Sequence, residues 1–164
     1  MRAHMGALRH LLAICLLPGM VAGVIPALLV DGLAAWPLVV LGAVVAALGL
    51  ALIVQTVALF ASVGKGTLAP WDPTERLVVR GPYRRVRNPM ISGVLCVLLG
   101  EALAFGSVAV LVWFAIVFAL NAVYFPLIEE PDLQRRFGAD YEAYRAAVPR
   151  WLPRLRPIND NGPP

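Results

Sequence analysis

Several basic side chains of the 164-residue chain lie directly before an apolar run. Residues 80–90 read RGPYRRVRNPM, which brings four arginines to the start of that run. Because Pro89 suits the first turn of a helix, unpaired backbone N–H groups are expected beside these positive charges. A helix start of this kind can bind a carboxylate or a phosphate. The same arginines can instead anchor the chain to anionic lipid headgroups, and the sequence leaves both interpretations open.

Two adjacent carboxylates, Glu129 and Glu130, directly follow the last apolar run. At the boundary of a bilayer such a pair can simply be solvated. If Arg87 and its neighbouring arginines lie on the same side of the membrane, however, the two groups form a site of mixed charge. A site of mixed charge suits a zwitterionic ligand, and this makes Arg87, Glu129 and Glu130 candidate binding residues.

A third candidate, Glu101, lies inside an apolar run. Placing a carboxylate within a membrane costs roughly 2.5–3.5 kcal/mol on insertion scales, so a functional role is the default expectation. Glu101 is interpreted either as a protonated structural group or as a polar feature of a ligand cavity. Gln55 and Asn121 are milder polar groups, and hydrogen bonds between helices suffice to explain them.

The composition identifies the class of protein that positions these groups. Apolar residues make up 60% of the chain and charged residues 15%, with a mean hydropathy of +0.76. A soluble domain carries roughly 25% charged residues, so a soluble enzyme, a disordered linker and a free nucleic-acid-binding module are excluded. The sequence predicts an all-α, polytopic membrane protein that forms one domain, residues 1–164. Its four transmembrane helices are expected at about 11–30, 36–63, 90–106 and 107–128.

The ends of these runs carry further information. The first run has 20 residues, more than the roughly 7–15 of a signal-peptide core, so it is expected to remain as a span. The prolines within it, Pro18 and Pro26, are tolerated if neighbouring groups satisfy the freed carbonyls. The third and fourth spans are joined only by a turn at Gly106-Ser107, which predicts a helical hairpin. Cys15 and Cys96 both lie in apolar runs, so neither a disulfide framework nor a metal site is predicted.

The basic residues predict the topology. Two of the 14 precede the first span, six lie between the second and third, and six follow the fourth. The positive-inside rule therefore places both termini, the loop 64–89 and the tail 129–158 in the cytoplasm, with the loop and tail folded together over the inner mouth of the bundle. In the tail, we expect Pro131 in the first turn of a short helix, Gly138 as its left-handed C-cap and Asp140 as the N-cap of a second helix. The end, 159–164, is expected to be disordered.

Two ordered blocks of residues resemble a known family. The first is GPYRRVRNPMISG at 81–93, and the second runs from Glu129-Glu130 through Leu133, Phe137-Gly138, Tyr141, Tyr144 and Val148-Pro149-Arg150 to Leu152-Pro153. They are similar to the signature and the C-terminal block of integral-membrane isoprenylcysteine carboxyl methyltransferases and related phospholipid methyltransferases. The resemblance covers about residues 77–155.

The resemblance implies an S-adenosylmethionine-dependent methyltransferase. Its cofactor pocket would open to the cytosol, and a lipophilic acceptor would arrive laterally from the bilayer. Glu129 would be the acidic cofactor contact with Glu130 as its partner, and Arg87 with the helix N–H groups would suit the cofactor carboxylate. Glu129 and Glu101 are the candidate catalytic residues. The remaining cofactor-binding residues implied by the match are Tyr83, Asn88, Pro89, Met90, Ile91 and Gly93.

Three departures from the family pattern bear on the acceptor and on activity. Asn88 stands where the signature has a histidine, and Ile91 stands where it usually has a tyrosine. The isoprenylcysteine enzymes carry an arginine shortly before the glutamate pair, whereas residues 124–128 here read YFPLI. The sequence therefore argues against prenylcysteine as the methyl acceptor and leaves the identity of the acceptor open. It also leaves open whether the methyl group is transferred to an oxygen, a nitrogen or a sulfur atom.

Two other functions remain open at this level. A four-span bundle with one membrane glutamate is also similar to small proton-coupled multidrug exporters, in which Glu101 would bind protons and cations. The changes at Asn88 and Ile91 are also compatible with a catalytically inactive membrane scaffold. In each case the expected partners are the membrane and a lipophilic molecule rather than a nucleic acid. The expected location is a bacterial inner membrane, and the sequence does not determine the oligomeric state.

Overall fold

The computed structural model describes residues 15–60, 62 and 77–158, and within these ranges every regular element is a helix. Residues 1–14, residue 61, residues 63–76 (which include half of the loop 64–89) and the end 159–164 lie outside the described residues. Helix α1 consists of a π-helical segment, Cys15–Val24, and a short α-helical turn, Ile25–Ala27. The further helices are α2 (Trp36–Leu59), a 3₁₀ helix (Gly81–Arg84), α3 (Pro89–Phe105), α4 (Val108–Tyr124), α5 (Glu130–Phe137) and α6 (Ala139–Ala147).

Two of these helices are long and apolar enough to cross a membrane: α2, and the continuous helix Val108–Phe137 that contains α4 and α5. In the most apolar part of each, only 17% of the residues are buried. A core helix of a soluble protein would be mostly buried, so these exposed apolar faces suit contact with lipid. The apolar helices Pro18–Ala27 and Pro89–Phe105 are shorter. The all-α class is confirmed for the described residues, whereas four spans and their topology stay predictions.

Helices α2 and α3 pack closely through pairs of glycines. A Cβ added to Gly49 would lie 2.6 Å from the carbonyl oxygen of Gly93, and one added to Gly93 would lie 2.8 Å from that of Gly49. Gly42 and Gly100 meet in the same way seven residues away on each helix. Such contacts leave no space for a side chain, so glycine is required where these two backbones meet.

The kink in α1 is stabilised from a neighbouring helix. Ala22 has non-helical dihedral angles (φ −110°, ψ 15°) in the π-helical segment. The carbonyl of Val21 lies five residues before Pro26, whose nitrogen carries no hydrogen to complete a π-helical bond. The indole Nε1 of Trp113 in α4 donates to this carbonyl at 2.9 Å. The expectation that a neighbour satisfies the freed carbonyl is thus confirmed at Val21.

The turn between α3 and α4 matches the predicted hairpin. Gly106 caps α3 in the left-handed conformation with φ 61°, which favours glycine. Ser107 caps α4, because its hydroxyl oxygen accepts a hydrogen bond from the Val110 N–H at 3.3 Å. The same hydroxyl donates to the Leu29 carbonyl at 3.0 Å, so the turn is also tied to the chain that follows α1.

The fourth span continues directly into the first helix of the tail. A π-helical turn, Phe125–Glu129, connects α4 to α5 without interruption, and the Glu130 N–H donates to the Phe125 carbonyl five residues back. This wider turn accommodates Pro126 and Pro131, neither of which can donate a backbone hydrogen bond. Pro131 lies in the first turn of α5, as predicted, and α5 continues the helix of α4.

Two details of the tail also differ from the prediction. Gly138 ends α5 with the expected positive φ of 54°, but its ψ of −127° lies outside the left-handed helical region. Gly138 is also the N-cap of α6, which begins at Ala139. Asp140 consequently lies in the first turn of α6 instead of capping it. In this position its negative charge interacts favourably with the helix dipole.

Candidate functional site

The segment before α3 and the tail after α5 fold against each other. Backbone hydrogen bonds run from Arg87 to Pro149 (2.9 Å), from Arg154 to Arg85 (2.9 Å) and from Ile158 to Arg84 (3.1 Å). These contacts confirm the predicted association of loop and tail for the part of the loop that the structure describes.

Buried aromatic side chains fill the space between the two segments. Tyr144 is 3% exposed, and its hydroxyl donates to the Tyr83 carbonyl at 2.8 Å. Burial raises the pKa of both tyrosines, so both phenols stay protonated and able to donate. Tyr141 and Val148 complete the small core under the segment. This core fixes the backbone at Tyr83, and Arg87 contacts Glu130 at the start of α5.

A cavity of about 670 Å³ lies between this small core and the helices, within the roughly 300–1,000 Å³ that small-molecule sites occupy. Of the residues that the sequence selected as candidates, six line it: Tyr83, Arg87, Asn88, Met90, Ile91 and Glu129. They come from the segment before α3, from the first turn of α3, and from the π-helical turn. The structure thus brings residues 83–91 and Glu129 to one cavity, although about 40 residues of chain separate them.

Four other candidates are not among the described residues that line the cavity. Pro89 is buried at the start of α3, and Gly93 faces α2 across the close helix contact. Glu101 lies 12 residues after Pro89, about 18 Å further along α3. Among the described residues, its buried Oε2 has no hydrogen-bond partner. The structure therefore does not bring Glu101 to the cavity that Glu129 lines.

Glu130, the fourth of these residues, binds arginines instead of facing the cavity. Its side chain is 5% exposed and receives hydrogen bonds from Arg150 at 2.6 and 3.0 Å and from Arg87 at 2.8 Å, with Arg145 at 3.6 Å. Burial alone would raise the pKa of the Glu130 carboxyl, but the hydrogen bond from Arg150 and the charges of the arginines lower it. Glu130 is therefore an ionised centre that holds the basic side chains in place.

Arg87 links this cluster to the cavity. Its side chain is only 10% exposed, and its Nη1 donates to Glu130 and lies 3.5 Å from the Tyr141 hydroxyl. Within the described part of the chain, its buried Nε has no hydrogen-bond partner. An unsatisfied buried donor is costly, so this N–H group is suited to an anionic group of a ligand.

Glu129 differs from its neighbour in both environment and charge. It lines the cavity, and no hydrogen bond or salt bridge joins it to another described residue. Burial, and then the negative charges of Glu130 and Asp132, raise the pKa of the Glu129 carboxyl to about 7. A carboxylate in this situation is stabilised by a cation, and a ligand that carries one would supply it.

Several residues of this site were not predicted from the sequence. Asn121 was interpreted as a contact between helices, but its Nδ2 donates to the Val117 carbonyl of its own helix at 2.8 Å and the residue lines the cavity. Tyr124, Ile128 and Asp132 continue the same wall at intervals of three or four residues. That helical spacing was the signal that could have identified the face. No local pattern pointed to Arg150 as the main partner of Glu130.

The cavity has two chemically different parts. The charged side chains that line the cavity are Arg87, Glu129, Asp132, Arg135 and Arg136, and they lie in the part near the tail. The part formed by the apolar helices is lined by Val21, Val94 and Val117. A polar ligand and an apolar molecule could therefore occupy adjoining parts of one cavity.

Comparison with known proteins identifies the family. The model of the phospholipid methyltransferase family matches residues 37–140. This range includes all of α2 except Trp36, the whole of α3, α4 and α5, and every residue discussed at the cavity between 83 and 137. Neither a curated protein nor a solved structure matches the chain. The match extends over more than half of the sequence, and the chain therefore belongs to the phospholipid methyltransferase family.

Proposed function

We propose that this protein is a membrane methyltransferase that binds S-adenosylmethionine in the cavity and transfers its methyl group to a lipophilic acceptor. The family consists of methyltransferases and generally uses this cofactor. Family membership also favours methyl transfer over the export of small molecules.

One observation carries the proposal: the cavity is lined by a carboxylate and by an arginine N–H that have no ion-pair or hydrogen-bond partner among the described residues. S-adenosylmethionine combines a carboxylate with an ammonium and a sulfonium, and supplies a methyl group bound to the positively charged sulfur. In our proposal Glu129 contacts the cationic part. Arg87 Nε and the first-turn amides of Met90 and Ile91, which have no acceptor within their helix, bind the carboxylate.

The proposed contribution of the protein to the reaction is binding, orientation and exclusion of water. Glu129 favours the positive charge of the bound cofactor, while the apolar walls lower the local polarity, which favours a transfer that disperses this charge. Holding the methyl group in line with an acceptor atom lowers the barrier further, because the entropic cost of bringing the two reactants together is met on binding. No residue is required to form a covalent bond in this scheme.

The acceptor would occupy the apolar part of the cavity. The family implies a lipid substrate, and the walls at Val21, Val94 and Val117 suit an alkyl chain or another apolar group. Asn121 lies among these residues and, with Nδ2 bonded within its helix, can use its side-chain oxygen to orient a polar atom of the acceptor.

We further propose that the cavity lies at the cytoplasmic face of a four-span, single-domain protein in a bacterial inner membrane. The basic residues of the loop and tail support this orientation, since they cluster where the polar part of the cavity is found. Both termini would then lie in the cytoplasm, and the methyl acceptor would enter from the bilayer.

Calorimetry on the protein purified in detergent tests the cofactor assignment. Wild type is expected to bind S-adenosylmethionine, and Glu129→Gln is expected to lose most of the binding. Glu142→Gln serves as the matched control, because Glu142 is exposed on α6 and does not line the cavity. Membranes incubated with methyl-labelled cofactor should yield a labelled lipid or lipophile. Absence of binding by wild type would overturn the proposal.

A further inference from the structure

The chain after α6 packs against a helix that is long and apolar enough to cross a membrane. The indole ring of Trp151 contacts two phenylalanines of the continuous helix Val108–Phe137, with ring centroids 5.4 Å from Phe118 and 5.6 Å from Phe125. Trp151 also packs against a buried apolar cluster to which α2, α3 and α4 all contribute. The tail therefore contacts the apolar helices at this point, in addition to forming the small core with the tyrosines.

Trp151 lies level with an exposed apolar part of the continuous helix. Leu127 and Ile128 follow Phe125 along this helix, and they are 69% and 55% exposed. The apolar surface that suits contact with lipid thus extends past the position of Trp151. This places Trp151 near the edge of the bilayer, where tryptophan is enriched in membrane proteins.

Two leucines that follow Trp151 are held away from the rest of the protein. Leu152 is 82% exposed and Leu155 is 93% exposed. The backbone between them is fixed, because the Arg154 N–H donates to the Arg85 carbonyl at 2.9 Å. An ordered segment that presents two leucines to its surroundings, directly beside the apolar helices, suits an apolar environment.

The same segment carries positive charge. Arg154 and Arg156 flank Leu155, both are exposed, and no ion pair joins either side chain to another described residue. Residues 143–158 include four arginines and no aspartate or glutamate. This combination suits the surface of an anionic membrane, because leucine side chains can enter the acyl region while the guanidinium groups remain at the phosphates.

We propose that residues 151–157, the interfacial segment, lie in the surface of an anionic bilayer. Leu152 and Leu155 insert among the acyl chains, and Arg154 and Arg156 bind the phosphate groups. Two observations favour lipid over a second copy of the chain: Trp151 connects the segment to the exposed apolar surface of the continuous helix, and the arginines of two copies would repel each other. The inference requires the helices to lie in a membrane, but it does not depend on cofactor binding or methyl transfer.

Spin labels on the full-length protein in lipid vesicles test the insertion. Leu155→Cys and the matched control Glu142→Cys each carry a nitroxide, in chains whose native Cys15 and Cys96 are replaced by alanine. Glu142 is exposed on α6 and lies outside the interfacial segment. In vesicles of equal parts phosphatidylcholine and phosphatidylglycerol, the label at position 155 should collide more often with oxygen, which concentrates among acyl chains, than with a water-soluble nickel chelate. The label at position 142 should show the reverse.

Arg156→Gln in the labelled Leu155→Cys protein tests the contribution of charge. The preference for oxygen is expected to decrease in vesicles that contain phosphatidylglycerol and to stay unchanged in vesicles of phosphatidylcholine alone, since only the anionic surface attracts the guanidinium group. Equal access of the nickel chelate to positions 142 and 155, or an equal response to Arg156→Gln in the two kinds of vesicle, would overturn the proposal. Spin–spin broadening at position 155 would also overturn it, because a second copy of the chain would then cover the leucines.

Discussion

Arg87 Nη1 donates a hydrogen bond of 2.8 Å to Oε1 of Glu130, and this contact joins the segment before α3 to the segment after α4. Both side chains are nearly buried, at 10% and 5% exposure. The adjacent Glu129 lines the cavity and has no such partner in the part of the chain that the structure describes. The two consecutive glutamates therefore have different tasks: Glu130 positions Arg87, while Glu129 remains available to a ligand.

Replacing Glu130 should destabilise the protein strongly. Glu130→Gln leaves Arg87 and Arg150 close together without their negative counter-ion, and breaking a buried ion pair in this way costs about 3–5 kcal/mol. We expect a loss of that order in the free energy of unfolding, measured by titration with a denaturing detergent. Cofactor affinity should fall as well, because Arg87 loses the ionised hydrogen-bond partner that positions its side chain.

The control for this loss is Asp132→Asn. The side chain of Asp132 is 50% exposed, and its ion pairs with Arg135 and Arg136 are both 3.6 Å long. Exposed pairs contribute at most about 1 kcal/mol, so only a small change in unfolding free energy is expected. Similar losses for the two variants would contradict a structural role specific to Glu130.

Cofactor binding should weaken as the pH falls through 7. The pKa of Glu129 is raised to about 7 by burial and by neighbouring negative charges, so the carboxyl is largely ionised at pH 8 and largely neutral at pH 6. Because the ionised form is the one that attracts a cation, affinity should decrease about tenfold from pH 8 to pH 6. Calorimetry across this range measures the effect.

The same titration of Glu129→Gln should give weak binding with little dependence on pH, since the titrating group has been removed. An affinity of wild type that stays constant between pH 6 and pH 8 would show that Glu129 does not contact the positive part of the ligand in its ionised form.

The features of this site that the sequence predicts are those set by interactions between residues close together in the chain. The turn at Gly106-Ser107 was predictable because a left-handed glycine and a serine cap act on the nearest residues. Residues 83–91 were found together because they form one continuous segment at a helix start. The π-helical turn that joins α4 to α5 was not predicted, since two prolines do not by themselves indicate a wider turn.

Contacts between residues far apart in the chain could not be predicted from the sequence. The partner of Glu130 depends on where α6 and the following residues pack, so nothing in the local pattern distinguishes Arg150 from the other arginines of the tail. Gly49 and Gly93 are 44 residues apart, and their contact appears only when α2 and α3 are placed side by side. In addition, Gly93 was assigned to the predicted cofactor site because it belongs to the signature-like segment, whereas in the structure it faces α2.

The glycine contact makes a prediction about stability. Gly49→Ala would place a Cβ 2.6 Å from the Gly93 carbonyl oxygen, and because this neighbour is backbone the helices must move apart. Overpacking of this kind costs about 1–3 kcal/mol, which unfolding in detergent would reveal. Gly32→Ala is the control, since its Cβ would meet nothing within 4 Å. Equal stability of the two variants would contradict the close approach of α2 and α3.

Glu101 distinguishes methyl transfer from proton-coupled export. It lies about 18 Å along α3 from the start of the helix, and it is not among the described residues that line the cavity. Glu101→Gln should therefore leave the affinity for S-adenosylmethionine unchanged within about twofold, a change of less than 0.5 kcal/mol. An exporter that uses this carboxyl would lose transport in the same variant, because glutamine cannot exchange a proton.

The decisive comparison is between cofactor calorimetry and proton-coupled cation uptake into liposomes, for wild type and Glu101→Gln. Uptake by wild type that Glu101→Gln abolishes, without any cofactor binding by wild type, would favour export; cofactor binding by both forms without uptake would favour methyl transfer.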